Sequence, residues 1–145
     1  ASVDSTMIYA SKGVAAEIEG ALGMAPGQKA EYGSVVVEAV PAYNINKRFH
    51  PKGLGVGFIV SVEGKRIYHA GDTDFIPEMN GIKCDVALLP VSGTYVMDVN
   101  EAVEAVKIIK PKIAIPMHYG SIIAGIREAE EFKNLASKYC KVEIL

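Results

Sequence analysis

Two short segments of this chain carry the residue types that do metal-assisted chemistry. His69-Ala70-Gly71-Asp72-Thr73-Asp74 and Pro116-Met117-His118-Tyr119-Gly120 each follow an apolar run with strand character. A carboxylate placed at a turn, as Asp72 is after Gly71, is a hard anionic donor that can bind one divalent ion or bridge two. The plainer reading of such an aspartate is a turn residue bonded to its own backbone. An imidazole directly after a strand, as His118 is, can serve as metal ligand or general base, or simply close the strand with a hydrogen bond. Position alone leaves both choices open.

A third segment spans residues 41–57. Its sequence is Pro-Ala-Tyr-Asn-Ile-Asn-Lys-Arg-Phe-His-Pro-Lys-Gly-Leu-Gly-Val-Gly. It gathers amide, imidazole, cationic and aromatic groups in one loop, as a substrate-facing surface requires. Asn44, His50 and Lys52 are its candidates. Gly53, Gly55 and Gly57 do not make a phosphate loop, because their spacing is not Gly-x-Gly-x-x-Gly and a strand rather than a helix follows. Pro90-Val91-Ser92-Gly93-Thr94-Tyr95 follows another apolar run and can line the same edge. Tyr95 and Tyr119 join the substrate-binding candidates. Ser92 has no His–Asp partner nearby in sequence, so it reads as a hydrogen-bonding or turn residue and not a nucleophile.

The elements that would hold these segments follow from the apolar rhythm. Thr6–Ala10 is a short strand-like run. Ser11 is a good N-cap for a helix through Val14, Ile18 and Leu22, with Gly23 as its stop. Val35–Val40 reads as a buried strand ending at Pro41. Gly57–Val62 and Arg66–Ala70 flank Glu63-Gly64-Lys65 as a hairpin. Val86–Leu89 is an apolar strand, and Asp98 with Glu101 is a capping box for a helix over Ala102–Ile109. Pro111 ends that helix. Ile113–Ile115 is a strand, Ile126–Lys138 an amphipathic helix, and Val142–Leu145 a last strand. Strands with helical crossovers imply an α/β layered domain, and the hairpin implies a mixed sheet.

Composition narrows the partners. The 145 residues are 50% hydrophobic and 22% charged, which suits one globular domain. A net charge of −2 with scattered Lys and Arg offers no basic stripe, so a small-molecule substrate is expected and nucleic acid is not. The longest apolar runs, Val35–Val37 and Val86–Val91, are too short to cross a bilayer, so no membrane partner is expected. No charged-then-apolar leader is visible. Cys84 and Cys140 stand alone, outside any Cys-x-x-Cys spacing, and read as buried free thiols. The expected location is the cytoplasm.

Taken together, the segments resemble the UlaG-like and related branch of the metallo-β-lactamase superfamily. The resemblance is carried by Pro41-Ala42-Tyr43-Asn44, His50-Pro51-Lys52-Gly53, Tyr68-His69-Ala70-Gly71-Asp72-Thr73-Asp74, Asp85-Val86-Ala87-Leu88-Leu89-Pro90 and Pro116-Met117-His118-Tyr119-Gly120. It spans nearly the whole chain and implies an αβ/βα sandwich with one or two metals at the sheet edge. The metal is usually zinc, with manganese or iron as alternatives. By resemblance, Asp72 takes the place of the bridging carboxylate and His118 that of the last histidine ligand. The implied reaction is hydrolysis of an ester, lactone or phosphoester by a metal-activated water. The family's central histidine ligand falls to either Asn44 or His50. His69 should lie on the opposite face of its strand from Asp72, packed or supporting a ligand.

The chain departs from the family pattern in lacking His-x-His-x-Asp-His. Its only histidines are His50, His69 and His118, and it opens at Ala1-Ser2-Val3-Asp4. We therefore expect residues 1–145 to be a single domain, the C-terminal part of a metallo-β-lactamase-like fold. It should be inactive alone and self-associate through the faces left open. The alternative is a non-catalytic ligand- or partner-binding module that has lost the metal centre.

Overall fold

A computed structural model describes residues 7–120 and 125–145. Its framework is a seven-stranded mixed sheet built from the β-branched runs of the sequence. Lys29–Tyr32 (β3), Val35–Ala42 (β4), Gly55–Val62 (β5) and Lys65–His69 (β6) pair antiparallel in order. Glu63 and Gly64 close the β5–β6 hairpin with φ of 49° and 71°. Two successive positive φ values are what a two-residue turn needs to match the strand twist. Val86–Pro90 (β7), Ile113–Met117 (β8) and Lys141–Val142 (β9) then add on parallel to β6.

The crossovers are helical. Val99–Ile109 (α2) links β7 to β8, and Ile126–Ala136 (α3) precedes β9. Asp98 accepts from the Glu101 N–H at 2.8 Å while Glu101 accepts from the Asp98 N–H at 2.9 Å, the reciprocal cap expected from sequence. Lys110 turns left-handed at φ 54° just before Pro111, ending α2. Both helices cover one face of the sheet. There Ile59, Tyr68, Ala87 and Ala114 lie side by side in register, and Val106 and Phe132 complete the core. Among the described residues no helix is long and apolar enough to cross a membrane.

The opposite face is different. Val37, Val60, Ile67, Val86 and Ile113 form one registered row across β4 to β8, and all five are half-buried. Among the described residues no helix covers this row.

The amino-terminal expectations need correction. Thr6 lies outside the described residues, and the strand there is Ile8–Ser11 (β1). The helix expected from Ser11 through Leu22 is only Lys12–Ala15 (α1), and Leu22 and Gly23 belong to Ala21–Met24 (β2), which pairs parallel with β1. Val14, Ile18 and Leu22 are 51%, 40% and 47% exposed, so the apolar stripe packs against little among the described residues. Gly13 and Gly20 each weaken a helix by about 1 kcal/mol, and without tertiary packing so short a helix is marginal. Cys84 and Cys140 are unpaired as expected, but half-buried and not fully enclosed.

Candidate metal centre

Because β6, β7 and β8 are parallel, their carboxyl ends share one sheet edge, the position where α/β folds place ligands. Residues 70–74, 91–95 and 118–120 leave from that edge. His50 reaches it from the β4–β5 loop. His50 Nε2 lies 3.3 Å from Asp72 Oδ2, and His118 Nε2 lies 3.8 Å from Asp72 Oδ1. The structure thus brings together Asp72, His118 and His50, and the side chain of Asp72 is 48% exposed.

Each imidazole is held from behind. His118 Nδ1 lies 2.9 Å from Ser92 Oγ, and His50 Nδ1 lies 3.3 Å from the Tyr95 carbonyl. A carbonyl can only accept, and Nε2 faces a second acceptor in the Asp72 carboxylate, so a cation seated between Nε2 and Asp72 would leave the ring proton to Nδ1. His118 itself sits at φ 61°, a left-handed conformation that costs a non-glycine residue about 1–2 kcal/mol. Strain of this kind gathers where a side chain must point in one direction.

These donors fit a divalent cation. Two ligand atoms about 2.1 Å from one ion at a tetrahedral angle stand roughly 3.4 Å apart, the order of the separations seen here. Both outer nitrogens are tied off, which fixes the ring orientations. Among the described residues, no three His, Cys, Asp or Glu side chains close into a cage around a single point. His50 and His118 are gathered only through Asp72, so this chain offers an open set of donors.

The Asp72 turn and the His50 loop are clasped together. Thr73 Oγ1 accepts from the Tyr43 N–H at 3.1 Å, and the Asp74 N–H donates to the Tyr43 carbonyl at 2.9 Å. Burial pushes the Asp74 carboxyl up, but hydrogen bonds from Lys47, the Ile45 N–H and Asn44 outweigh it and hold Asp74 below the ordinary carboxylate range.

The substrate-binding candidates fare unevenly. Asn44 is 7% exposed, and its amide donates to Asp74 and to the Tyr95 carbonyl while accepting from the His50 N–H. Lys52 donates to Glu78 and to the Tyr43 hydroxyl, on whose ring it also stacks. Tyr95 packs edge-on against Phe49 with centroids 4.6 Å apart. Tyr119 donates its hydroxyl to the Leu145 carbonyl. His69 is exposed rather than packed, and its Nδ1 accepts from the Gly71 N–H at 3.2 Å. Asp74 is a site neighbour that sequence reasoning missed, and Ser92, expected to hydrogen-bond or turn the chain at this edge, does the former. Ser92's position after a strand was a signal, but its histidine partner is visible only in space.

Beside His50 and Asp72 runs a cleft of about 400 Å³ whose lining includes Ala42, Val56 and Phe58 and, among the described residues, no Lys or Arg. That volume falls within the usual range for small-molecule sites, roughly 300–1,000 Å³.

Gly71 adjoins the site at φ 69°, and a Cβ there would meet the Val56 carbonyl oxygen at 2.9 Å. Gly71→Ala should therefore lower stability by at least about 1–2 kcal/mol and weaken zinc binding although no donor is lost. Gly64→Ala is the control. Gly64 has φ 71° with open space around its missing Cβ, so stability should fall while affinity holds. Thermal unfolding beside zinc titration separates the two. Equal affinities for both variants would mean the Gly71 turn does not aim Asp72.

This fold and edge define a metallo-β-lactamase-type domain. A family model described as the beta-lactamase superfamily domain matches residues 11–118, and the chain belongs to the metallo-β-lactamase superfamily. Within it, the chain is 38% identical over 135 residues to a UPF0173 metal-dependent hydrolase of Archaeoglobus fulgidus, covering 86% of this chain and 58% of that protein. It is 44% identical over 118 residues to one from Thermoplasma acidophilum, covering 77% and 51%. A solved structure from Parabacteroides distasonis, described as a metal-dependent hydrolase, superposes with a TM-score of 0.87 at 33% identity, covering 97% of this chain and 64% of that one. Igni18, a metallo hydrolase from Ignicoccus hospitalis, superposes at 0.82 and 27% identity, covering 97% and 65%. The chain spans little more than half the length of these curated relatives.

Proposed function

We propose that this chain supplies His50, Asp72 and His118 to the metal centre of a metal-dependent hydrolase. The observation that carries the reading is the convergence of two imidazole Nε2 atoms on one carboxylate, with both Nδ1 atoms held. Zinc suits the donors best, with manganese or iron as alternatives. A bound divalent cation would activate water and polarise the bond to be cleaved. The chain's own residues would orient that cation and hold water and substrate at the cleft. The UlaG-like placement within the superfamily and a cytoplasmic location belong to the same reading.

Of an ester, a lactone and a phosphoester, the first two fit best. The cleft's mostly apolar lining and its lack of lysine and arginine among the described residues offer little to a phosphate. The chain alone should turn over slowly or not at all, because its donor set is open.

The test is to strip the protein, load it with zinc or manganese, and assay a panel of esters, lactones and phosphodiesters alongside calorimetric metal titration. Stoichiometric metal binding supports the reading, and metal-dependent turnover lost on chelation extends it to catalysis. Absence of both favours the non-catalytic binding module.

We also propose that the chain self-associates. The uncovered row Val37–Val60–Ile67–Val86–Ile113 favours this reading.

A further inference from the structure

We propose that Asn44 and Asp74 form a brace that fixes the orientation of His50, making both positioning residues for the metal centre. The argument starts at Asp74, which is 3% exposed. Its carboxylate accepts from Asn44 Nδ2 at 2.9 Å, the Ile45 N–H at 2.9 Å and Lys47 Nζ at 2.7 Å. A buried carboxylate with three donors is a rigid anchor, because releasing any one leaves charge poorly solvated.

Asn44 transfers that rigidity to His50 through three contacts. Its Oδ1 accepts from the His50 N–H at 2.9 Å, and its backbone N–H donates to the His50 carbonyl at 2.8 Å. Its Nδ2 donates a second time, at 2.9 Å, to the Tyr95 carbonyl that faces His50 Nδ1. Both sides of the His50 residue and the acceptor behind its ring are therefore held by one asparagine. Flipping the amide would set Oδ1 against the Asp74 carboxylate and the Tyr95 carbonyl, acceptor against acceptor. Only one arrangement of the side chain satisfies the network.

The brace matters functionally because it holds the His50 ring with Nε2 toward Asp72. Groups that orient a ligating histidine typically change metal affinity by about 10–100-fold. The proposal rests on His50 being a metal donor, but its first test needs no metal. Three-bond NMR couplings of the metal-free chain read the χ1 rotamer of each histidine. Wild-type His50 should hold a single rotamer. In Asn44→Ala that signature should move toward an average of rotamers, while His118, backed by Ser92, stays as it was. An unchanged His50 signature overturns the brace, as does a shift of all three histidines together, which would mean general loosening.

Zinc titration gives the second readout. Asn44→Ala should lower affinity about 10–100-fold in the wild-type background and scarcely at all in a His50→Ala background. An equal loss in both backgrounds would show that Asn44 does not act through His50. Should Asn44→Ala fail to fold, Lys47→Met removes one donor from Asp74 and touches neither His50 nor the Tyr95 carbonyl. It should shift the same His50 signature to a smaller degree, and no shift overturns the proposal. If zinc does not bind while the rotamer result holds, the metal reading fails and the brace stands.

Discussion

Replacing Asp72 with alanine lowers zinc or manganese affinity by more than about 100-fold, beyond the loss typical of groups that merely support a ligand. The reason is geometric. Both imidazoles face this one carboxylate, at 3.3 and 3.8 Å, so its removal separates His50 from His118 as donors. His118→Ala should act in the same direction but leave His50 and Asp72 together, so its loss should be smaller. Neither change should unfold the protein. The Asp72 side chain is 48% exposed, and surface substitutions away from packing and caps usually stay within about 0.5 kcal/mol. Calorimetric titration with thermal unfolding checks both parts. Undiminished binding by Asp72→Ala would move the metal centre away from this edge altogether.

Lysine at both Val60 and Val86 should convert the self-associating chain proposed above into a monomer. The two residues flank Ile67 in the open row, on the face away from α2 and α3. Five strands spaced about 4.8 Å apart make that row roughly 20 Å wide, enough to form the centre of an interface between copies. Wild-type chain should sediment as a dimer or larger at high concentration. The double lysine variant should sediment as a monomer and keep its circular dichroism, because the substituted side chains point away from the helical core. A wild-type chain that stays monomeric at high concentration would refute self-association. Unchanged sedimentation of the variant would place the contact on another surface.

Local features were legible in the sequence where a few neighbouring residues decide the structure. The Glu63-Gly64 turn and the Asp98–Glu101 cap depend only on nearby backbone, and both appear where their signals stand. The stripe of Val14, Ile18 and Leu22 misled for the converse reason: periodicity implies a packing surface, and these side chains find little of one among the described residues. Strand β3 gave little signal, since Lys29 and Glu31 alternate with Ala30 and Tyr32, and its place comes from pairing with β4. At the site, Asp72 and His118 stand out in sequence because each follows a strand. The choice between Asn44 and His50 did not, because it depends on a loop closed by Asn44 N–H to the His50 carbonyl. The Ser92–His118 contact requires the parallel alignment of β7 and β8, which no local pattern encodes.

The change from antiparallel to parallel pairing at β6 also orders the events of folding. Residues 33–34 and 63–64 close the β3–β4 and β5–β6 hairpins, and residues 43–54 join the two. The meander's contacts therefore close over less chain than the crossover 91–112 and can form early. Strands β7 and β8 must wait for α2 to be laid down between them, a slower closure. His118 reaches Asp72 only when that second half has docked onto the first. A cation that binds His50, Asp72 and His118 together would therefore select fully assembled molecules, lending its binding energy to the native state over any half-zipped sheet. The reactive edge would then double as a latch between the early and late halves of the domain.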